Sequence, residues 1–380
     1  MNRRRPLRHR RRGNVLVLSA LMMVVMLGCV AFAVDVGYLY IARSELQRTA
    51  DASAIAAAWE LMDENAPSGM ATASTLTYEA RLKADEFASL NPVSNDAIDL
   101  SPSDVEVGFL ANPSIPGIAM SSSNVSLPNA VRVKVQKTAL QNGEVPLFFA
   151  RVMGFDSAAA EAEATAALIN NFGGFRAPAD GSALDLLPFA LDLNTWNSLL
   201  AGGGTDNYRY DPATKKVVAG SDGIREVNLY PQGTGSPGNR GTVDIGGSNN
   251  STADIARQIV AGVNKDDIEQ MGGKLEFDES GKLELNGDTG ISAGVKDELE
   301  SIIGQPRIIP IFSQVEGPGN NAQYTIVKFV GVRICTVKLT GSMSSKKLMI
   351  QPANVVARGG IPSDDPGSSY FLYSPVWLIR

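Results

Sequence analysis

The chain has 380 residues, 44% apolar and 19% charged, with 37 Gly and 20 Pro, a composition that can bury real cores and excludes a disordered or low-complexity polymer. A single histidine and two cysteines exclude a disulfide-rich scaffold, a Cys/His zinc cluster, iron–sulfur ligation and a haem site built from several histidines. The formal charge of −6 hides a division: Arg3, Arg4, Arg5, Arg8, Arg10, Arg11 and Arg12 crowd an acid-free leader, while from Gly13 onward 27 basic residues face 40 acidic ones, a net of −13. So acidic a body argues against nucleic-acid binding, which needs clustered Lys and Arg to neutralise phosphates.

Directly after the arginines, Val15 to Val34 reads VLVLSALMMVVMLGCVAFAV, twenty residues without a charge. As a helix rising about 1.5 Å per residue this run spans about 30 Å, the thickness of a bilayer's hydrocarbon core. The spacing predicts a transmembrane helix over 15–36, in contact with lipid along its length. With arginines on one flank and a balanced flank after Asp35, the positive-inside rule predicts a single-pass inner-membrane protein, its leader (1–14) cytoplasmic and everything beyond the helix extracytoplasmic. Ala31-Phe32-Ala33 offers signal peptidase a cut before Val34. Met26-Leu27-Gly28-Cys29 approaches a lipoprotein box but lacks a polar tether after it, and Arg12-Gly13-Asn14 approaches a prepilin site but has Leu18 where prepilins carry Glu. Hydrophobicity continues through Val36, Tyr38, Leu39 and Ile41, with tyrosines where an interfacial belt would sit, which favours a retained anchor.

Residues 37–64 are proline-free and rich in helix formers, so the helix is expected to run on as a stalk. Leu39, Ala42, Leu46, Ala50, Ser53, Ala57 and Leu61 recur at the spacing of one straight helix face. Two readings fit this stripe: a helix lying on its own domain, or a small-residue track (Ala50, Ala54, Ala58) that lets another helix approach.

The run RRGNVLVLSALMMVVMLGCVAFAVDVGYLYIARSELQRTADASAIAAA resembles the N-terminal region of TadG-like proteins of the Tad (tight adherence) Flp pilus-assembly system. In that family a basic residue and Gly precede the membrane helix, Asp-x-Gly follows it (here Asp35 and Gly37), and a block like L-Q-x-A-A-D-A-A-A-L-A-A-A comes next. Leu46, Gln47, Ala50, Asp51, Ala52, Ala54, Ala56, Ala57 and Ala58 stand in matching places, with departures at Thr49, Ser53 and Ile55. A second stretch, VPLFFARVMGFDSAAAEAEATAAL over 145–168, is similar to the family's aromatic pair, hydrophobic-Gly pair and A-x-A-T-A ending. The resemblance covers no part of roughly the last 210 residues and implies an envelope role rather than a reaction.

Beyond the stalk the pattern predicts two extracytoplasmic α+β domains, 65–169 and 188–380, joined by a linker over 170–187 where Asn170 to Ser182 holds four Gly or Pro residues. In the first domain, Tyr78 to Leu90 reads as a helix with Tyr78, Leu82, Phe87 and Leu90 on one face, and Asn91-Pro92 stops it. Val105 to Leu110 reads as a strand, as does Ala130 to Lys137, with Val131, Val133 and Val135 on one face. Phe148 to Met153 reads as a short helix between strands. Ser157 to Ala167 alternates as a strand despite its alanines and glutamates, and the resemblance tips it that way. In the second domain, hairpins are expected at Tyr208–Val218 and at Lys274–Leu285, and a helix over Ala253 to Val263 capped by Thr252. Tyr324 to Leu339 reads as a long buried strand interrupted at Gly331, and the apolar tail Tyr370 to Arg380 as a final strand.

Chemistry finds little footing. Gly233-x-Gly235-x-x-Gly238 fits a dinucleotide fingerprint, but Pro237 sits inside it and no helix opens after it, so a turn-rich loop is expected. Without a histidine beyond His9, Ser-His-Asp and Cys-His arrangements are excluded from the exported part. Ser344-x-x-Lys347 has the spacing of a serine acyltransferase pair but lacks that class's other motifs, and is expected to be a solvated turn. Calcium is the one metal such an exterior suits, through Asp278, Glu279 and Glu284 or through Asp364 and Asp365, and neither set matches an EF-hand loop. Cys29 and Cys335 read as small buried apolar residues. No catalytic, cofactor-binding or metal-binding residue is therefore assigned, and no cofactor. The expectation is a non-enzymatic envelope protein that assembles or anchors a Tad/Flp-type pilus through other envelope proteins. A membrane-anchored adhesin or ligand-binding module is the alternative, and a carboxylate-based hydrolase a third class.

Overall fold

The computed structural model describes residues 14–115, 117–122, 127–230, 241–246, 251–288, 290–317, 321–363 and 367–379. The chain divides into two units: Met1–Ala54, Lys83–Val105 and Arg132–Ala164 form the first, and Ile55–Leu82, Glu106–Val131 and Thr165–Arg380 the second. Both mix helix with strand, so the α+β class read from the sequence holds.

Helix α1 runs unbroken from Asn14 to Trp59, joining the membrane-length run and the stalk in one element. Its expected extension to residue 64 is cut short by turns, in which the Asp63 carboxylate accepts the N–H groups of Asn65 and Ala71 and redirects the chain. Over Val15–Val34 the large side chains stand exposed, whereas Ala42, Leu46, Ala50, Ser53, Ala57 and Leu61 of the stripe are buried. The plainer reading of that stripe is the observed one: it faces the protein's own fold. Polar bonds fix the helix in the first unit, where the Thr49 hydroxyl, 2.8 Å from Asn91 O, also lies 2.9 Å from Glu45 O, and the Glu45 carboxylate accepts the N–H of Ser94 at 2.7 Å.

Helix α2 spans Ala73–Leu90 and presents a different face from the one expected. Ala80, Ala84 and Ala88 are buried, while Tyr78, Leu82 and Leu90 are exposed. Residues four apart share a helix face, and an alanine face lets neighbouring backbone come close. Size alone therefore picked the wrong side.

Strands β1 (Val105–Gly108), β2 (Ala130–Lys137), β3 (Val145–Pro146), β4 (Ser157–Ala158) and β5 (Ala160–Ala167) follow. The valines of β2 are buried as the alternation predicts, and β5 is a strand. Its glutamates explain why an alanine-rich segment extends: Glu163 pairs with Arg132 at 3.3 Å and Glu161 with Lys134 at 2.7 Å, matching charges across the exposed face. Lys137, at the end of β2, buries its stem and ends on Asp96 at 2.8 Å and Asn142 O at 3.0 Å.

The second unit adds β6 (Phe172–Arg176), β7 (Phe189–Asp192), α3 (Leu193–Leu200), the hairpin β8 (Tyr208–Asp211) and β9 (Lys216–Ala219), β10 (Val227–Asn228), β11 (Gly241–Val243), α4 (Thr252–Ala261) and α5 (Lys265–Gln270). It continues with β12 (Lys274–Glu276), β13 (Leu283–Asp288), α6 (Lys296–Ser301), β14 (Pro306–Glu316), β15 (Ala322–Lys338), β16 (Lys347–Pro352), β17 (Val355–Val356), β18 (Gly360–Pro362), β19 (Ser369–Tyr370), β20 (Leu372–Tyr373) and β21 (Trp377–Ile379). Its main sheet runs β10-β16-β15-β13-β11-β7-β14, and β14 pairs with β15 as well, so five strands close on themselves. Two apolar clusters lie against it, one around Trp196, Ile309, Val332 and Ile350 and the other around Phe175, Leu285, Phe312 and Phe329.

Four expectations need correction here. The stretch expected to link domains contains β6, whose Phe172 and Phe175 are fully buried and which pairs with β12 and β18. The turn at Asp278–Gly281 forms, but its two arms join different sheets, β12 with β6 and β13 with β15. Ser251, not Thr252, caps α4, accepting the N–H of Asp254. The tail makes three short strands in three sheets rather than one, because β19 adds to β15, β20 pairs with β17, and β21 pairs with β5 through Thr165–Ala167.

β15 is also uninterrupted at Gly331. A Cβ there would stand 2.3 Å from Ala353 O and 2.5 Å from Phe371 O, so glycine serves close backbone approach rather than a break. Replacing Gly331 with Ala is expected to destabilise the protein by about 1–3 kcal/mol, read from the shift in the urea unfolding midpoint.

Candidate functional site at the helix exit

Asp35 is the first charge after the twenty uncharged residues of Val15–Val34. Its side chain is only 5% exposed, so its carboxylate must find donors, and it finds three backbone N–H groups. Phe148 N lies 2.8 Å from Oδ1, Phe149 N 3.0 Å from Oδ2 and Ala150 N 2.7 Å from Oδ2. These donors stand at the entry to a 3-10 helix at Ala150–Met153, its first residue and the two before it, where the carboxylate satisfies N–H groups that no helical carbonyl reaches.

The segment so held is the tip of the β3–β4 hairpin. Leu147 N bonds Asp156 O at 3.0 Å and closes the neck. Gly154, at φ +92°, ends the 3-10 turn in the left-handed region, and Phe155 N then bonds Ala150 O. The Phe148 ring meets Tyr38 of α1 edge-on at 5.2 Å. Further along α1, the Gln47 amide bonds Asp51 Oδ1 at 2.8 Å and Glu163 O of β5 at 3.1 Å. Asp35 and Gln47 thus tie α1 to the hairpin 113 residues later and the strand 116 residues later.

The other sequence candidates are not brought into a reactive arrangement. Lys347 donates to the Tyr208 hydroxyl at 3.0 Å, while Ser344 has Ser342 as its hydroxyl neighbour at 3.3 Å. The Asp278 carboxylate is spent on its own turn, accepting from Ser280 and Lys282, and Glu279 and Glu284 are exposed. Gly233, Gly235 and Gly238, and Asp364 and Asp365, lie outside the described residues. Among the described residues no group of three or more His, Cys, Asp or Glu side chains is placed to hold a metal ion. Cys29 lies on the membrane-length stretch of α1, which nothing in the fold covers, whereas Cys335 is buried as expected with its Sγ 3.1 Å from Gln351 Oε1. A cleft of about 370 Å³ opens in the second unit, lined by Leu61, Met70, Leu127, Tyr370, Leu372 and Tyr373.

Among the described residues one helix, α1, is long and apolar enough to cross a bilayer, and none of its apolar stretch is buried in the fold, which suggests membrane association. Residues 13–60 match the family model described as Flp pilus-assembly TadE/G-like, and residues 47–166 match that described as Tad-like Flp pilus-assembly. Over residues 13–166 the chain is therefore similar to Tad-like Flp pilus-assembly proteins. No curated protein and no solved structure matches it. The clamp joins the two matched regions, with Asp35 inside the first and Phe148–Ala150 inside the second.

Neither motif announced the clamp. Asp35 was legible as part of Asp-x-Gly and Phe148-Phe149 as an aromatic pair, but a bond across 113 residues leaves no local pattern.

Asp35→Ala strands three N–H groups and is expected to lower the stability of the first unit, with Asp35→Asn lowering it less because one acceptor oxygen remains. The check is urea unfolding in detergent, together with faster amide exchange at Phe148–Ala150. Burial pushes the Cys335 thiol well above its usual range, so the thiolate is scarce at any working pH. In the folded protein a thiol reagent at pH 8 is expected to modify Cys29 alone and to reach Cys335 only after denaturation, as counted by mass spectrometry.

Proposed function

We propose that this chain is a non-enzymatic component that assembles or anchors a Tad/Flp-type pilus, held in the inner membrane by α1 with its arginine leader in the cytoplasm and both folded units outside. The observation that carries this reading is the clamp at Asp35. The two regions matched to pilus-assembly families are bonded to each other where the apolar run ends. Seven arginines before the helix against a balanced flank after it support the orientation. Its partners are other envelope or pilus-assembly proteins. The absence of histidine beyond His9 removes the common general base from the exported part.

A second reading, a ligand-binding or adhesive module, is favoured by one observation. The cleft of the second unit carries Tyr370 and Tyr373, side chains that join an apolar face to a polar tip.

A deletion strain is expected to lose surface pili and adherence and to regain both from the intact gene. Normal piliation would overturn the assembly role; loss of adherence with pili intact would move the balance to the adhesive module. N-terminal sequencing of the purified protein tests the anchor, and a mature terminus at Val34 would show it removed.

A further inference from the structure

The β3–β4 hairpin tip carries an apolar surface that the fold leaves uncovered. Phe148, Phe149, Val152, Met153 and Phe155 are all exposed, Val152 at 89%, and Arg151 is the only charge from 148 to 155. Five large apolar side chains on eight consecutive residues do not stand in water without a use.

Its position supplies the partner. The carboxylate that holds the tip belongs to Asp35, one residue past a helical run of about 30 Å that matches the hydrocarbon core. With Phe148 N and Ala150 N within 2.8 Å of that carboxylate, the tip starts at the depth where α1 leaves the hydrocarbon. Tyr38 and Tyr40 of α1 lie at the same level, Tyr38 against Phe148, and aromatic side chains concentrate at the membrane–water interface. An apolar wedge continuous with the span, bearing one cation suited to a lipid phosphate, has the composition of an interfacial element.

We propose that residues 148–155 are seated in the interfacial layer of the membrane that α1 crosses, with Val152, Met153 and Phe155 at the acyl boundary and Arg151 among the lipid phosphates. The anchor is then two-pronged. A crossing helix alone leaves the folded part free to swivel about its axis, and a second contact beside it fixes that rotation. The inference rests on α1 being a membrane span and is independent of any role in pili.

The test places a nitroxide at Val152→Cys in the full chain carrying Cys29→Ala, reconstituted in vesicles of phosphatidylcholine and phosphatidylglycerol, and compares collisions with oxygen and with a water-soluble nickel chelate. Leu140→Cys, at a fully exposed position in the same unit, is the aqueous reference, and a label on native Cys29 reports the span itself. Cys335 is buried and stays unlabelled. The oxygen-to-nickel ratio at Val152 is expected to exceed that at Leu140 several-fold and to approach that at Cys29. A Val152 label as open to nickel as Leu140 overturns the proposal while Cys29 stays lipid-exposed. A Val152 label shielded from both reagents also overturns it, in favour of a protein on the tip. A Cys29 label open to nickel overturns the span.

Discussion

A single carboxylate decides how this protein leaves its apolar segment. Asp35 is nearly buried, and three backbone N–H groups of a distant hairpin, with the nearby charge of Arg151, favour its carboxylate. Desolvating a carboxylate is costly, so the charge and the hairpin tip hold each other: neither has another partner that would satisfy it as well. From that point the rest of the first unit follows along α1. Gln47 catches β5, Thr49 and Glu45 catch the end of α2 and the turn after it, and Lys137 closes on Asp96. Each of these bonds involves a polar side chain beside a small or aliphatic stripe, so the stripe provides burial and the polar groups provide register.

The second unit solves a different problem. Its long strand β15 must pair with β13, β14, β16 and β19 along its seventeen residues, which no strand with a uniform surface could do. The absence of a side chain at Gly331 admits two carbonyl groups, of Ala353 after β16 and Phe371 between β19 and β20, and the pairing with β16 shifts register between Ile334 and Thr336. Closure of five strands on themselves leaves none of those five with an open edge toward the next.

What the amino-acid pattern disclosed was what depends on neighbours in sequence. The uncharged run, the proline-free stalk, the stripe from Leu39 to Leu61 and the alternation of β2 and β5 all show in the fold. The failures share a cause. α2 was assigned its large apolar face, but what it buries was set by elements far along the chain, which admitted only Ala80, Ala84 and Ala88. The Asp278 turn was readable, while the sheets its arms would join depended on β6 and β15. The boundary at 170–182 was inferred from Gly and Pro, yet Gly174 lies where a Cβ would meet Leu275 O at 2.3 Å, so the glycine marks close strand contact instead of a hinge. The clamp itself was hidden for the same reason, since both halves were visible as motifs and only folding made them one.

The pairing of Trp377–Ile379 with Thr165–Ala167 has a kinetic side. Strands separated by about two hundred residues cannot meet until everything between has been made. The edge of β5 beyond Ala164 therefore stands open through most of synthesis, vulnerable to pairing with other chains, and is sealed by one of the last segments to arrive. The order in which the chain is made thus determines when this edge becomes safe, and any pause in synthesis lengthens that interval directly.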